Sequence, residues 1–271
     1  MPSLLVRLLL TLCCLCALPS QAADQQGPGT PAGGVVVLDD QVASLQISTD
    51  VQSWIDEGSL AGIELVAGGI PKFTAQPALT RYALNQYDTL WIRLRLKRAA
   101  GSNAHWTLNL PMPFVDSATL YQLDAGGRWT AQRAGDSIAQ AGWYKQGLYP
   151  DFDLNLTDTA PRDIYLQIRN FRQLAVPIRL TAAHERERQR HIELLSLGLM
   201  LGMLLSLAAL SLLRYLEHRQ PIDGWAALFG LLIATTVAQI TGVLNAFVWA
   251  AVPEIGNYAS NVMPVIAVGS T

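Results

Sequence analysis

The chain has 271 residues, of which 51% are hydrophobic and 15% charged, and its formal net charge is −2. This composition is too apolar for a typical soluble protein. A near-neutral charge without a basic patch also excludes the electrostatic attraction that nucleic-acid binding requires. We therefore expect a membrane protein that has no nucleic-acid partner.

The first 22 residues have the layout of a secretion signal. Arg7 precedes an apolar run over residues 8–18, and the stretch ends in a small-x-small Ser-Gln-Ala. We predict that residues 1–22 are removed, with an uncleaved membrane anchor as the alternative. Cys13, Cys14 and Cys16 all lie inside this segment, so the mature chain is expected to have no disulfide, zinc thiolate or thiol nucleophile.

A Gly-, Pro- and Gln-rich stretch, residues 23–34, is typical of a flexible linker. Short alternating runs separated by turn residues then fill residues 35–182, a pattern that predicts an all-β sandwich. In "TLWIRLRLK" the leucines and Ile92 share one strand face, and the other face carries Trp91 and the basic residues. The run "SATLYQL", the turn residues 124–127 and "RWT" predict a hairpin, whereas "STDVQSWIDEGSL", residues 48–60, favours a short helix.

Residues 194–213 form an uncharged run that, as a helix about 30 Å long, matches the thickness of a bilayer core. A charged connector helix over residues 183–193 is expected to precede it as a solvated extension of the span. A second span is predicted from residue 224 to about residue 244, and a third apolar run begins at Tyr258 and is cut short at Thr271. We interpret residues 194–271 as the first part of a larger helical bundle, with the buried helix of a soluble protein as the alternative.

An exported N-terminus places the β domain in the periplasm, and residues 214–223 form a cytoplasmic loop. Gly198, Gly202 and Ser206 recur every four residues, so they predict a stripe on which another helix packs closely.

The sequence contains no recognisable catalytic motif. It contains neither a nucleophile elbow nor a zinc-protease motif nor a phosphate-binding loop. His184 and His191 are seven residues apart, which is not a zinc spacing. Asp151 and Asp153 leave open a pair of hydrolytic carboxylates, although solvated turns are the simpler interpretation. A calcium site that uses Asp39, Asp40 or the same pair is a weaker alternative. We expect no enzyme activity, cofactor or metal within this chain.

The polar face of the predicted sheet is the best candidate for a ligand site. A flat aromatic ring beside fixed cations suits sugars and carboxylates. The alternative is that these side chains pack under loops or pair with acids. The candidate residues are Trp91, Arg93, Arg95, Tyr165 and Arg169 on the strands, with Trp143 and Tyr144 in a covering loop.

The order of these parts resembles the bacterial seven-transmembrane receptors with diverse intracellular signalling modules (7TMR-DISM), those with the type 2 extracellular domain. The similarity rests on "LWIRLRLK", "HWTLNLPMPFVDSATLYQLDAGGRW" and "DIYLQIRNFRQLAVPIRL" in the β domain. It continues in "LLSLGLMLGMLLSLAALSLLRYLEHR" and "NAFVWAAVPE" in the membrane part. The resemblance implies a jelly-roll-like sandwich, a carbohydrate-like ligand and an output module such as a histidine kinase or diguanylate cyclase. This sequence does not include an output module.

The resulting hypothesis is an inner-membrane receptor whose periplasmic domain binds a small ligand and signals through a helical bundle. Its partners would be the lipid bilayer, that ligand, and a second copy or a sister receptor. The rival is a carbohydrate-binding or hydrolytic periplasmic domain that the helices only anchor. A transporter component is a third reading, for which Gln239 and Asn245 are the only hints.

Overall fold

The structure is a computed structural model that describes residues 34–47, 51–77, 80–102, 105–156, 158–171, 173–252 and 256. The predicted signal peptide, the linker up to residue 33 and the third apolar run lie outside these residues. The described part consists of a β domain followed by helices, as the sequence predicts.

Two facing sheets form the β domain. The large sheet has the order β4-β3-β6-β11-β8-β9, with β1 parallel to the end of β6; the small sheet has the order β10-β7-β13-β2, and β12 pairs with β5. The strands are β1 Val36–Leu38, β2 Ser44–Gln46, β3 Val51–Asp56, β4 Thr74–Gln76, β5 Arg81–Tyr82, β6 Thr89–Arg98, β7 Trp106–Asn109, β8 Ser117–Leu123, β9 Trp129–Ala134, β10 Asp151–Leu154, β11 Arg162–Arg169, β12 Leu174–Ala175 and β13 Arg179–Ala182.

The main core lies between the two sheets. Leu90, Ile92 and Leu94 of β6 pack in one buried cluster with Leu108 of β7 and Leu180 of β13. These side chains are the ones that the period-two alternation assigns to the inner face. The predicted hairpin is also present, because β8 pairs with β9 from Leu123 and Trp129 onward.

The prediction of a short helix near residues 48–60 is wrong. Residues Val51–Asp56 are β3, which pairs with β4 on one side and with β6 on the other. Backbone pairing on both edges and burial of Val51 and Ser53 outweigh the weak local preference for a helix. The helical turn in this region comes later, as α1, Ile63–Ala67.

The helical part begins directly after the last strand. Helix α2 spans Ala183–His218, α3 spans Pro221–Ile240 and α4 spans Val243–Phe247. By length and composition, α2 and α3 are able to cross a membrane, with mean hydropathies of 2.1 and 1.5 in their most apolar windows. Most of that apolar surface is not buried inside the protein, whereas a core helix of a soluble domain would be covered. The predicted connector is the first three turns of α2.

The α2–α3 hairpin closes through a different set of small residues from the predicted stripe. Gly230 of α3 packs on Ala208, and Gly224 packs on the ring of Tyr215. A Cβ added at Gly198 or Gly202 would meet nothing within 4 Å. The stripe of Gly198, Gly202 and Ser206 therefore points away from α3, and its packing role stays a prediction.

The two amides considered for a transport pathway hold the turn after α3. The Gln239 side chain donates to Asn245 Oδ1 at 3.0 Å and accepts a hydrogen bond from Trp249 Nε1 at 3.3 Å. These contacts give both amides a structural role at the end of a helix.

Candidate functional site

The outer face of the large sheet carries a cluster of aromatic side chains. Trp91 is fully buried there, stacked on Tyr121 with ring centroids 5.7 Å apart, and lies beneath Ile63 and Val66 of α1. Tyr165 is also buried and meets Trp129 edge to face at 5.7 Å. This face is a second small core, so the Trp91 ring does not offer the exposed platform that the sequence suggests.

Two of the predicted cations lie beside this cluster and already have partners. Arg93 Nε donates to Gln52 Oε1 at 2.6 Å, and its guanidinium lies over the Phe73 ring, 5.1 Å from the centroid. Arg95 forms a two-pronged ion pair with Asp163, with N–O distances of 2.7 and 2.9 Å. Strand register explains the grouping, because Tyr165 lies opposite Arg93 and Asp163 opposite Arg95.

The remaining predicted site residues lie apart from these. Arg169 continues the same face to the other end of β11, where its Nε donates to Thr89 Oγ1 at 3.2 Å. Trp143 belongs to the main core, with its Nε1 donating to the carbonyls of Gly135 and Ile138. Tyr144 is exposed, and its hydroxyl is 3.3 Å from Asp153 Oδ2. Neither loop aromatic covers the outer face.

A cavity of about 330 Å³ opens where two strands of the large sheet separate. Strands β8 and β11 stop pairing at Tyr121 and Tyr165, although β8 continues to Leu123 and β11 begins at Arg162. The volume lies within the range of small-molecule sites. We call this the fork cavity; its walls include the rings of Trp129 and Tyr165, the amides of Gln122 and Asn155, and the ion-paired Arg162 and Asp163.

The charges around the fork cavity are balanced. Asp163 pairs with Arg95, and Arg162 Nη2 lies 2.7 Å from Asp158 Oδ2. Burial raises the pKa of the Tyr165 phenol, and the nearby Asp163 carboxylate adds to that shift. Tyr165 is therefore a neutral hydroxyl at physiological pH. The lining combines aromatic rings with neutral polar groups.

Sequence reasoning included Tyr165 among the candidates but missed Trp129. The signal was present, because the hairpin predicted around residues 124–127 places Trp129 opposite Leu123. The pairing of Tyr121 with Tyr165 then puts Trp129 near Tyr165 on the same face. Only the order of strands in the sheet, with β11 next to β8, was needed to find it.

A second site of interest joins the β domain to α2. Arg186 of α2 is buried and contacts Asp151 of β10 through Nε and Nη2, at 3.1 and 3.0 Å. Its Nη1 lies 3.3 Å from Glu193 Oε2, and Asn109 of β7 donates to Asp151 Oδ1. We call Asn109, Asp151, Arg186 and Glu193 the junction cluster.

The junction cluster corrects two expectations. Residues 183–193 were expected to form a solvated extension, yet Arg186 is enclosed by the small sheet and by its own helix. Asp151 was a candidate for a hydrolytic carboxylate, a calcium ligand or a solvated turn, yet it is buried and bound to Arg186 and Asn109. A buried ion pair of this kind is costly to break, so it fixes α2 against the β domain.

The turn after α3 packs on the same side of the β domain. The Gln140 N–H donates to the Ala250 carbonyl at 3.0 Å. A Cβ at Gly242 would come within 3.1 Å of Pro113 and 3.2 Å of the Leu148 carbonyl. The β domain therefore contacts α2 through the junction cluster, and the turn after α3 through Gly242 and Ala250.

Comparison with known proteins identifies one family. The sequence profile of the 7TMR-DISM extracellular 2 domain matches residues 48–182, which run from just before β3 to the end of β13. No curated protein matches the chain.

Solved structures similar to the chain include β-glucuronidase from Ruminococcus gnavus. Its complex with D-glucuronic acid is 12% identical, has a TM-score of 0.36, and aligns over 51% of this chain and 29% of that chain. Its complex with D-glucaro 1,5-lactone is 11% identical, has a TM-score of 0.35, and aligns over 54% and 31%. The chain thus matches less than a third of the enzyme's length, at a similarity too low to support a shared activity.

Proposed function

Because this chain belongs to the 7TMR-DISM family through its extracellular 2 domain, we propose that it is the sensing and membrane-spanning part of a receptor in the bacterial inner membrane. The β domain faces the periplasm and binds a small, uncharged, carbohydrate-like ligand. The helices pass the signal to an output module of the histidine kinase or diguanylate cyclase type.

The observation that carries the ligand proposal is the fork cavity. It joins two properties that sugar recognition needs, which are aromatic rings for the apolar faces of a pyranose and neutral hydrogen-bonding groups for its hydroxyls. Trp129 is partly exposed beside the buried Tyr165. The side chain of Asn155 is exposed at the rim, so it is accessible to a ligand.

Charge balance around the fork cavity favours a neutral ligand over a sugar acid. An anionic ligand binds best to a cation that has no carboxylate partner, because the two then form a charge-assisted hydrogen bond without competition. Arg95 and Arg162 already have carboxylate partners at 2.7 Å. A uronate would have to compete with Asp163 or Asp158 for these cations, whereas a neutral sugar would not.

The hydrolytic alternative gains no support from the described cavity lining. Glycoside hydrolysis generally uses a pair of carboxylates on either side of the scissile bond. Asp163 is the one carboxylate among the lining residues that the structure describes, and it is bound to Arg95. We therefore favour binding over catalysis.

The route from the β domain to the membrane runs through the junction cluster. Asp151 begins β10, and Gln122, whose amide lines the fork cavity, donates to the Asp153 carbonyl of the same strand at 2.8 Å. A ligand that moves β8 relative to β10 would therefore act on the strand that holds Arg186. Signalling requires two such arrangements whose balance the ligand shifts.

The open stripe on α2 is the proposed contact for a further helix. Gly198 and Gly202 have no neighbour within 4 Å of an added Cβ, and small residues let membrane helices approach closely. That helix would belong to the rest of the bundle, to a second copy or to a sister receptor.

Ligand binding to the intact chain in lipid nanodiscs tests the proposal. We would titrate neutral mono- and disaccharides, with glucuronate for comparison, and follow binding by calorimetry. Saturable binding of a neutral sugar that Trp129→Ala weakens at least tenfold would support the fork cavity. Trp91→Ala is a poor probe, because removing a fully buried ring costs about 3–5 kcal/mol of stability.

Tyr87→Ala is the matched control, since Tyr87 is an exposed aromatic at the other end of the large sheet. It should leave sugar binding unchanged. If no neutral sugar binds a folded chain, or if Trp129→Ala and Tyr87→Ala have equal effects, the fork cavity is not the sensor site.

A further inference from the structure

One end of the large sheet lies beside the membrane helices. Strand β8 begins at this end, directly after the loop in which Pro113 packs against Gly242. Because β8, β11, β6 and β3 alternate in direction, the end of β11, the start of β6 and the end of β3 lie at the same end. We call it the proximal end; the fork cavity lies at the opposite, distal end.

Large apolar side chains are exposed in the loops of the proximal end. The exposed fractions are 88% for Leu60, 69% for Tyr87, 65% for Phe171 and 41% for Phe114. Single exposed apolar residues are ordinary on a protein surface. Here, however, they flank neighbouring strands of one sheet: Leu60 and Phe171 follow β3 and β11, and Tyr87 and Phe114 precede β6 and β8. This is the arrangement of a contact surface.

Hydrogen bonds hold these loops to one another. The Phe171 N–H donates to Asp116 Oδ2 at 2.7 Å, next to the loop of Phe114. Ser59 Oγ donates to the Tyr87 carbonyl at 2.7 Å, next to Leu60. The apolar residues therefore lie on fixed loops, spread over three strand spacings, or about 14 Å.

The level of the membrane surface follows from the end of α3. The apolar helix ends at Ile240, and Gly242, two residues later, contacts Pro113. Phe114 is the next residue in the chain, so this loop lies at the height where the α3 span leaves the bilayer core. Tyr is enriched at that height because its amphipathic ring favours the headgroup region, and Phe and Leu bury their apolar side chains at the boundary with the acyl chains.

We propose that the loops carrying Leu60, Tyr87, Phe114 and Phe171 are a lipid-contact surface that seats the proximal end of the β domain in the headgroup layer of the outer face of the membrane. The occupant is lipid, since the surface continues directly from the point where α3 leaves the bilayer. Such a seat would add a third contact to the two that join the β domain to the helices, and would fix its tilt relative to the membrane. The proposal requires that α2 and α3 cross the membrane, but not that the fork cavity binds a sugar.

Fluorescence from an environment-sensitive label tests the lipid contact. In the full chain with Cys13, Cys14 and Cys16 replaced by serine, Phe171→Cys and Tyr87→Cys would each carry a nitrobenzoxadiazole label in phosphatidylethanolamine–phosphatidylglycerol nanodiscs. We expect a blue-shifted emission, and at least twofold quenching by lipids with a spin label near the headgroup. Val37→Cys is the matched control, since Val37 is 46% exposed at the distal end, and its emission should stay that of water.

Leu205→Cys, on the exposed apolar surface of α2, separates the two ways of failing. If lipids with a spin label deep in the acyl chain do not quench the label at residue 205, α2 is not in the bilayer and the membrane placement itself is wrong. If Leu205→Cys is quenched while Phe171→Cys and Tyr87→Cys behave like Val37→Cys, the lipid contact is wrong. Labels at 87 and 171 that are shielded from water but not quenched by lipid would also overturn it, in favour of a protein occupant.

Discussion

The two ends of the large sheet differ in which side chains they expose, charged or apolar. At the distal end, β8 and β11 separate, the ion pairs Arg95–Asp163 and Arg162–Asp158 lie near the surface, and a cavity remains open. On the side of the proximal end, the charged contact between Asp151 and Arg186 is buried, while apolar loops are exposed.

This difference follows from what each end faces. A surface in water keeps its charges solvated and loses little by an open cavity. The contact between the β domain and α2 contains a buried ion pair, and removing one partner of such a pair is costly. Exposed apolar side chains are unfavourable in water but suit a lipid interface. The predictions below test the contrast between the two ends, beginning with the largest effect.

Asp151→Asn should destabilise the β domain by about 3–5 kcal/mol, because it leaves Arg186 buried without its main carboxylate partner. Urea unfolding followed by tryptophan fluorescence, with the chain held in detergent micelles, measures this. The matched control is Arg188→Met on the same helix, whose partner Glu185 is 3.5 Å away and whose side chain is largely exposed. It should change stability by less than about 0.5 kcal/mol, and equal losses would show that the junction cluster is not a fixed contact.

The glycines on either side of β9 should respond differently to alanine. Gly135, at the proximal end, has φ +146°, and an added Cβ would clash with the Asp116 carbonyl and come within 2.7 Å of Ser117 Cα. Gly127, at the distal end, has φ +73° and open space around it. We expect losses of about 3 kcal/mol for Gly135→Ala and about 1 kcal/mol for Gly127→Ala, by the same unfolding measurement.

A similar loss at both positions would contradict the packing described for the loop around Asp116. Gly127→Asn offers a further check, because asparagine tolerates the left-handed conformation better than alanine does. It should recover part of the loss seen for Gly127→Ala.

The smallest expected effect is a pH dependence at the distal end. A hydrogen bond from Arg162 holds the pKa of Asp158 below its ordinary value. Because the pKa is lower in the folded than in the unfolded chain, the carboxylate stabilises the fold above the unfolded value of about 3.9. That contribution is lost as the pH falls through the folded pKa.

Melting temperatures of the original chain and of Asp158→Asn should therefore differ slightly at pH 7 and converge as the pH is lowered below about 4. Both groups lie at the surface, so the difference should also shrink in high salt. A gap that stays the same across this pH range would mean that the ion pair with Arg162 is not its cause.

Local patterns were sufficient for most of the fold. Alternation assigns Leu90, Ile92 and Leu94 to the core, turn residues 124–127 predict the hairpin, and the apolar run after Glu193 predicts the long helix. Each of these depends on neighbours within one strand, one turn or one helix. The pattern failed at Val51–Asp56, where pairing with β4 and β6 makes a strand of a segment with a weak helical preference.

The candidate sites were less predictable, because each joins residues that are far apart in the chain. The sequence by itself determined that a β domain precedes apolar helices, which residues share a strand face, and that one such face carries aromatic and basic side chains. Only the tertiary structure decided that α1 covers Trp91, that β8 and β11 open beside Trp129, and that Arg186 meets Asp151. The physical reason is that periodicity specifies which side of a strand or helix a residue occupies, whereas the burial and pairing of a charge depend on which other element packs there.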